Sequence, residues 1–439
     1  MASRAAPASR HRGRTAPTPR PASLHFRTVA AVTGAAFAMQ AFVWMTLWQV
    51  FGISRMGYWF FELSDIAYYY EAFIVRMAQG LVPFRDFFLE YPPLFVPLLA
   101  APGVAVSEWQ YVVRFALLMM AFMGASCAAT SLAALDGKST WRPYVVASTF
   151  TLYTLLLGPI AANRYDPAVA LTLALILLFM ARSRWLTVAV LIGVGFALKV
   201  TPAMLLPLAL LLAGRKRLLP MLAGFAVAAA VPFAIVTAIG GSAGSNLVQM
   251  IGYHLSRPLE IESVLATPFW IGRLAGAAAV PVGLAAGSQV VLSQAANSVA
   301  SLSSVILLLA LGGVFALVWR RRDAIASDTS LQFLAVLATL LASLVGSKVL
   351  SPQYFVWVIP AVALVAVDRR VLGILLAAVL LLTHIEFPAN YWSFAQFQIP
   401  GAIAIVVVRN VILVAAFGLS LWHLWTIAEV PPRTAKARH

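Results

Sequence analysis

The chain has 439 residues, of which 62% are hydrophobic and only 10% are charged. A soluble protein of this length needs roughly 25% charged residues to cover its surface, so the composition excludes an ordinary soluble enzyme and indicates that lipid covers much of the chain. The formal net charge of +16 could suggest nucleic-acid binding, but most basic residues stand in short runs between apolar segments, which favours membrane topology as their cause and argues against a nucleic-acid partner.

The N-terminal segment is rich in Arg, Pro and Ala, and we predict a disordered, basic cytoplasmic tail over residues 1–27. The first apolar stretch, residues 28–51, is too long for the core of a signal peptide and lacks a small-residue cleavage site, so we interpret it as an uncleaved anchor. A long loop follows over about residues 53–90, and then a short apolar piece over 91–106. All later basic runs fall in the cytoplasm only if this piece dips into the membrane and returns.

Together with this first helix, the rest of the chain predicts an all-α bundle of about twelve transmembrane helices within one domain, residues 28–426. The helices around Lys199 are short and Pro202 lies at their turn, which predicts a tilted or broken hairpin. A second basic cytoplasmic tail is predicted over 427–439, so both termini lie inside. The later helices are expected at 108–134, 143–161, 167–181, 185–199, 201–214, 218–239, 298–319, 329–346, 352–367, 371–387 and 399–426.

With this topology, most polar residues that the positive-inside rule does not explain fall on the extracytoplasmic face. Such a cluster, contributed by many loops, indicates a functional site. Its members are Glu62, Asp65, Glu71, Asp86, Glu90, Asn163, Arg164, Asp166, Lys199, His254, Arg257, Glu262, Lys348, Gln353, His384, Glu386 and Asn390.

The first extracytoplasmic loop contains an amphipathic segment. Apolar residues recur there at helical spacing, at Ile66, Tyr69, Phe73 and Met77, which predicts a helix lying on the membrane surface. Ser64 is a suitable N-cap and puts Asp65 in the first turn, where the helix dipole favours an ionised carboxylate. From residue types alone, Asp65 is either a capping residue or a catalytic acid.

Several segments in this order resemble the GT-C superfamily of membrane glycosyltransferases. The resemblance is to its family-87 branch, which includes polyprenyl-phosphate-mannose-dependent mannosyltransferases, and is carried by residues 65–80, 83–87, 90–94, 163–166, 199–202, 257–263 and 351–354. It implies a GT-C-like bundle and a sugar donor carried on a polyprenyl phosphate. It also implies a catalytic acid in the first outer loop, at the position that Asp65 matches.

That chemistry needs a general base for the acceptor hydroxyl and positive charge for the departing phosphate. We expect Asp65 to be the base in a one-step inverting transfer. Glu62 and Asp65 do not form a DxD-type motif, so a divalent cation is possible but not supported, and no metal ligand is assigned. For the donor phosphate we expect Lys199, Arg257, Lys348 and Arg164, with snorkelling to lipid headgroups as the alternative.

The remaining polar and aromatic residues of the outer face are expected to bind substrate. They are Glu62, Asp86, Glu90, Tyr91, Asn163, Asp166, His254, Glu262, Gln353, Tyr354, His384 and Glu386. Arg409, about ten residues into the last helix, is instead expected to pair with an internal acid as a structural residue.

Other functions remain open from sequence. A lipid-linked-sugar transporter or flippase predicts charge deep in several helices, and an O-antigen-polymerase-like enzyme predicts a large loop late in the chain, whereas here the outer face and the first loop are richest in charge. The sugar is mannose or its rival arabinofuranose. The acceptor is a glycolipid, a polysaccharide or a protein.

Overall fold

Helices make up nearly all of the regular structure. The computed structural model describes residues 26–51, 65–135 and 139–427. The predicted tails lie almost wholly outside these ranges, as do Glu62 and Ser64. The first helix already includes residues 26 and 27, which were assigned to the N-terminal tail.

The first half of the chain contains nine helices within the described residues. They are α1 (Phe26–Phe51), α2 (Asp65–Tyr69), α3 (Val75–Ala78), α4 (Phe95–Ala100), α5 (Glu108–Ala133), α6 (Arg142–Leu157), α7 (Asp166–Ala181), α8 (Trp185–Leu198) and α9 (Leu205–Ala213). A π-helical turn, Tyr70–Ile74, joins α2 to α3. Turns of 3-10 helix follow α6 and precede α9, at Gly158–Ala161 and Thr201–Met204.

The second half adds ten helices and a short antiparallel hairpin, the only paired strands among the described residues. These elements are α10 (Leu218–Ala238), α11 (Ala243–Ser256), α12 (Thr267–Leu274), β1 (Val282–Ala285), β2 (Ser288–Val291), α13 (Gln294–Arg320), α14 (Arg322–Ser327), α15 (Thr329–Gly346), α16 (Phe355–Asp368), α17 (Arg370–His384), α18 (Tyr391–Ala395) and α19 (Pro400–Trp425).

Eight helical segments of the described chain are long and apolar enough to cross a membrane: those built on α1, α5, α6, α10, α13, α15, α17 and α19. Four shorter apolar segments contain α7, α8, α9 and α16. An all-α membrane protein is therefore confirmed. The count of about twelve spans requires that all four shorter segments also cross, and it stays a prediction.

The bundle is built around two central helices. α15 and α16 are buried along almost their whole length, whereas α10 and α13 keep most of their residues at the periphery. α5 packs against α1 and α7, and α8 packs against α10. The α8–α10 contact needs a small residue, because a Cβ added at Gly193 would lie 2.6 Å from the backbone oxygen of Phe225.

The predicted amphipathic helix after the first span is present over residues 65–78, but its apolar face covers protein rather than lipid. Ile66, Tyr69 and Phe73 are buried, and the Tyr69 ring packs against Phe95 of α4 and Phe115 of α5. Aromatic side chains from two neighbouring helices thus compete successfully with the bilayer for this face. The packing fixes the helix that begins at Asp65 against the bundle.

The apolar piece predicted over 91–106 contains only the six-residue helix α4. The Tyr111 hydroxyl donates to Leu99 O at 2.8 Å and Arg114 donates to Pro102 O at 3.2 Å, so α4 lies beside the first turns of α5. α5 itself begins at a capping box formed by Ser107 and Gln110. These contacts hold the second half of the piece near the start of α5, and whether the piece returns to the same membrane face stays a prediction.

The predicted outer region, residues 240–297, is more structured than the sequence indicated. It holds α11, α12 and the hairpin, and α13 begins at Gln294 rather than at residue 298. A second apolar cluster forms there, in which the Trp270 ring packs on Phe394 and its indole N–H donates to Ile261 O at 2.7 Å. This cluster fixes residues 257–266, which carry several of the predicted site residues.

Candidate functional site

Asp65 is held by two neighbours at the start of α2. Arg164 Nε lies 3.0 Å from Asp65 Oδ2, and the Tyr69 hydroxyl donates to the same oxygen at 3.3 Å. The Asp65 side chain is 32% exposed and that of Arg164 is 6% exposed. Asp65 is therefore oriented by the protein and still accessible to a substrate, as a catalytic carboxylate must be.

Arg164 comes from the turn between α6 and α7. Its guanidinium also donates to the backbone and side-chain oxygens of Asn163, both at 3.0 Å, and lies 5.6 Å from the centre of the Phe387 ring. From the sequence, Arg164 was expected to bind the donor phosphate, whereas in the structure it contacts Asp65. Asn163 is buried, and its two oxygens accept hydrogen bonds that orient the Arg164 guanidinium.

Lys199 lies where α8 ends and the chain becomes extended, which gives the predicted break in the short helical pair. Its ammonium is 2.7 Å from Asp166 Oδ1, at the start of α7. Three aromatic rings surround it, with centroids 4.6 Å away for Tyr165, 4.9 Å for Tyr354 and 4.6 Å for Trp357. The Lys199 side chain remains 14% exposed, so a negatively charged ligand could reach it.

Arg257 and Lys348 lie on the loops beside α11. Arg257 donates to Ser288 Oγ at 2.9 Å, and Lys348 Nζ donates to Leu255 O at 2.7 Å. Behind them, the buried carboxylate of Glu260 accepts from the Leu350 amide at 2.6 Å and from Ser351 Oγ at 2.8 Å. Sequence reasoning did not assign Glu260 a role, although it lies within one of the family-like segments.

His254 and Glu90 approach the same region. Partial burial, followed by the positive charges of Arg257 and Lys199, lowers the pKa of His254 to about 4, so its imidazole is neutral at physiological pH. Burial, with a smaller contribution from the Asp65 charge, raises the pKa of Glu90 above its ordinary value. These charges therefore influence His254 and Glu90 from several different segments of the chain.

We call this group the Asp65 cluster. It unites nine predicted site residues and one that was missed, Glu260, from segments distant in sequence. Each member contacts another member or is influenced electrostatically by its charge. The members are Asp65, Glu90, Arg164, Asp166, Lys199, His254, Arg257, Glu260, Lys348 and Tyr354. The cluster therefore combines a partly exposed carboxylate with several cations.

Glu262 and Glu386 are buried and pair with Arg409, and the charge of Glu260 links them to the Asp65 cluster. Arg409 of α19 is fully buried, and its NH1 lies 3.4 Å from Glu386 Oε2 and 3.8 Å from Glu262 Oε1. Its NH2 donates to Glu262 O at 2.8 Å, and Asn410 adds a hydrogen bond to Thr267. The internal acidic partners expected for Arg409 are thus present. They are two residues that were expected to bind substrate, and both carboxylates are at most 4% exposed.

The other expected substrate residues are distributed as follows. Tyr91 packs on Tyr165 beside the Asp65 cluster, and half-buried Gln353 precedes Tyr354. Asp86 instead pairs with Arg85 at 2.8 Å within an exposed turn, and His384 Nδ1 is 3.2 Å from Leu156 O. Asp86 and His384 therefore have partners outside the Asp65 cluster.

Metal binding has no built site in the described part of the chain. There, no three His, Cys, Asp or Glu side chains gather in a way that could hold an ion. Glu62, the residue whose spacing from Asp65 raised the question, lies outside the described residues, so the expectation about a metal stays untested.

Trp357 is a further residue of the site that the sequence did not indicate, and its indole N–H donates to Asp166 Oδ1 at 2.6 Å.

An open apolar groove lies between α4, α5, α7 and the end of α8. It has a volume of about 380 Å³ and is lined by Leu94, Pro97, Leu98, Ala101, Leu118, Phe122, Ala168, Leu171 and Leu198. Leu198 directly precedes Lys199, and Ala168 is two residues after Asp166. The Leu94 amide donates to Ala197 O at 2.9 Å, which joins α4 to the end of α8 at this point. The groove therefore lies between α4, α5, α7 and the end of α8, and two of its lining residues are close in sequence to Lys199 and Asp166.

A search of curated proteins finds no match for the chain. The chain does match glycosyltransferase family 87 over residues 88–352, which is more than half of its length. The matched segment contains most of the Asp65 cluster, including Lys199 and Arg257, whereas Asp65 itself precedes it. Combined with the apolar helices, this match shows that the chain belongs to glycosyltransferase family 87 and is a membrane-embedded glycosyltransferase.

Proposed function

We propose that the protein transfers a sugar, mannose in the first instance, from a polyprenyl-phosphate donor to a hydroxyl group of an extracytoplasmic glycolipid or polysaccharide. The observation that carries the proposal is that Asp65 and Arg257 act on the charge of Lys199, while Leu198, the residue before Lys199, lines an apolar groove. A lipid-linked sugar phosphate presents a reacting carbon, a charged phosphate and an apolar chain. The Asp65 cluster and the groove offer a partner for each.

In the proposed reaction, the acceptor oxygen attacks the anomeric carbon of the sugar, and the bond from that carbon to the phosphate oxygen breaks with its electron pair leaving on the phosphate. The acceptor proton passes to Asp65, which acts as general base. Arg164 and Tyr69 both contact Oδ2, so we assign the proton to Oδ1. Because the transition state resembles an oxocarbenium ion, a weak carboxylate base suffices, and one displacement inverts the anomeric configuration.

The developing phosphate charge needs cations that are already oriented. Lys199 supports this role because its ammonium is fixed by Asp166 and three rings and remains partly exposed. Arg257 is the second candidate, since its charge influences Lys199, Glu90 and His254. Arg164 is better suited to orienting Asp65, and we propose that role for it in place of phosphate binding. We assign Glu262 and Glu386 to structural stabilisation with Arg409.

The groove supports a lipid-linked donor rather than a soluble nucleotide sugar. All nine lining residues are apolar, so the groove matches an isoprenoid chain and would leave a nucleotide's polar groups without partners. Its position next to Lys199 would put the chain on one side of the phosphate and the sugar near Asp65. In a bilayer such a groove also allows a lipid substrate to enter sideways.

The donor assay tests the proposal. Purified protein in lipid nanodiscs is supplied with polyprenyl-phosphate mannose or polyprenyl-phosphate arabinofuranose, and transfer to membrane glycolipid and polysaccharide acceptors is measured. Mannose transfer with inversion supports the proposal. Transfer of arabinofuranose alone would replace the sugar and keep the mechanism, and transfer only from a nucleotide sugar would overturn the donor assignment.

We further propose that both termini are cytoplasmic and that the Asp65 cluster faces the opposite side of the membrane. The sole native cysteine, Cys127, is buried, so engineered cysteines can report the topology. Cysteines at Ser245 and Ala389 should react with an impermeant maleimide in intact cells, whereas one at Ser327 should react only after permeabilisation. Reaction at Ser327 in intact cells would contradict the orientation.

A further inference from the structure

Lys199 is an ammonium in surroundings that disfavour its charge. It is 14% exposed and is bordered by the rings of Tyr165, Tyr354 and Trp357. Aromatic faces attract a cation, but they do not replace the hydration that a buried ammonium loses. A neighbouring anion is the group that can keep it protonated.

Asp166 is that anion, and the protein holds it in place. It is 1% exposed, and its Oδ1 accepts both from Lys199 at 2.7 Å and from the indole N–H of Trp357 at 2.6 Å. Its Oδ2 is buried and has no hydrogen-bond partner in the described part of the chain. Asp166 therefore directs its bound oxygen at Lys199. With so little exposure, it has no evident access to a sugar.

We propose that Asp166 is a positioning residue, which keeps the Lys199 ammonium charged and oriented toward the phosphate of the lipid-linked donor. This inference rests on the proposed function, because it assumes that Lys199 receives the donor phosphate. It replaces the expectation that Asp166 binds substrate. In this arrangement the phosphate becomes the second anionic partner of Lys199, and Asp166 remains the first.

The charges around Lys199 support a specific pH dependence. Burial lowers the pKa of Lys199, and the Asp166 carboxylate opposes that shift most strongly. Asp65 contributes in the same direction from the first outer segment, and Arg257 acts against it from the loop after α11. His254 is kept neutral at physiological pH, so its imidazole does not replace the charge of Asp166.

The experiment measures the protonation of Lys199 directly. Purified protein in nanodiscs is acylated with trace acetic anhydride across a pH series, and the modification of Lys199 is quantified by mass spectrometry against exposed Lys216. In Asp166→Asn we expect the apparent pKa of Lys199 to fall by about one to three units, since a close opposite charge shifts a pKa by that amount. Asp368→Asn is the matched control, because it removes another carboxylate–cation pair, 2.6 Å from Arg142, at the far end of α16.

Activity provides the second readout. A group that must stay protonated loses its charge as pH rises through its pKa, so the alkaline limit of sugar transfer in Asp166→Asn should move to lower pH and the donor KM should rise more than kcat falls. Adding Lys199→Arg to Asp166→Asn should restore the alkaline limit, because a guanidinium stays charged. Asp166→Glu keeps the negative charge and should retain the wild-type limit.

Two results would overturn the inference. One is an unchanged labelling pKa of Lys199 in Asp166→Asn. The other applies if Asp166→Asn does not fold. In that case, the inference is rejected if the alkaline limit of sugar transfer in Asp166→Glu lies below that of the wild-type protein, although the negative charge is present. Labelling does not require turnover, so failure of the proposed donor assay would leave the Lys199 measurement intact. Conversely, mannose transfer with an unshifted labelling pKa would keep the function and reject this role of Asp166.

Discussion

Removal of the Asp65 carboxylate tests the proposed base most sharply. Asp65→Asn keeps the size of the side chain and an oxygen for Arg164 but can no longer accept a proton from the acceptor. General-base catalysis contributes about two to four orders of magnitude, so kcat should fall by that factor, equivalent to about 2.7 to 5.5 kcal/mol of activation free energy.

The structure separates this effect from a loss of stability. Asp65 is 32% exposed and Asn can still accept from Arg164, so the variant loses only the charge assistance of one contact, about 1 kcal/mol. That amount lowers the melting temperature slightly and cannot reduce turnover a hundredfold. Donor binding should persist, because Lys199 and Arg257, the proposed partners of the phosphate, are unchanged.

The assay is single-turnover sugar transfer in nanodiscs, with donor binding followed in parallel. Glu71→Gln is the matched control, since Glu71 is an exposed carboxylate on the π-helical turn of the same segment. It should transfer sugar at the wild-type rate. Near-normal transfer by Asp65→Asn would refute the assignment and direct attention to Glu90, a carboxylate whose environment includes both Asp65 and Arg257.

Three further predictions follow from the contacts. Lys199→Ala should abolish most sugar transfer and also lower the melting temperature, because it leaves the buried Asp166 carboxylate unpaired. Adding Asp166→Asn should restore the melting temperature but not sugar transfer. Recovery of transfer in the double variant would exclude Lys199 from phosphate binding. Leu171→Trp should fill the apolar groove and raise the KM for a long-chain donor more than for a short-chain donor. The control Leu117→Trp, on the exposed side of α5, should leave both KM values unchanged. An equal rise for both donors would show that the groove does not bind the donor chain. Arg409→Met should destabilise the protein by about 3 to 5 kcal/mol, measured by melting in nanodiscs, since it leaves two buried carboxylates without a cation, and an unchanged melting temperature would contradict the structural role.

Local sequence signals predicted the helical framework. α5 follows from a continuous apolar stretch, and α5, α15 and α19 lie within a residue or two of their predicted limits. The outer elements were harder. α11 carries no Asp, Glu, Lys or Arg and is too short to span a membrane, so no separate signal marked it within the outer region 240–297.

The cluster itself could be predicted only as a set of residues on one face. Pairing between Asp65 and Arg164, or between Lys199 and Asp166, depends on how α2, α7 and α8 pack, and helix packing is not encoded in local spacing. Glu262 and Glu386 could not be separated from the cluster by sequence, because a buried carboxylate and a substrate-binding one are the same residue type until a partner such as Arg409 is seen.

The central claim is that this glycosyltransferase uses a sugar carried on a polyprenyl phosphate. The most direct measurement supplies purified wild-type protein and Asp65→Asn with polyprenyl-phosphate mannose and quantifies the glycosylated acceptor and the released polyprenyl phosphate. We expect equal amounts of both products from the wild-type protein and a hundredfold or larger loss in the variant. Absence of turnover with every polyprenyl-phosphate sugar, together with transfer from a nucleotide sugar, would contradict it.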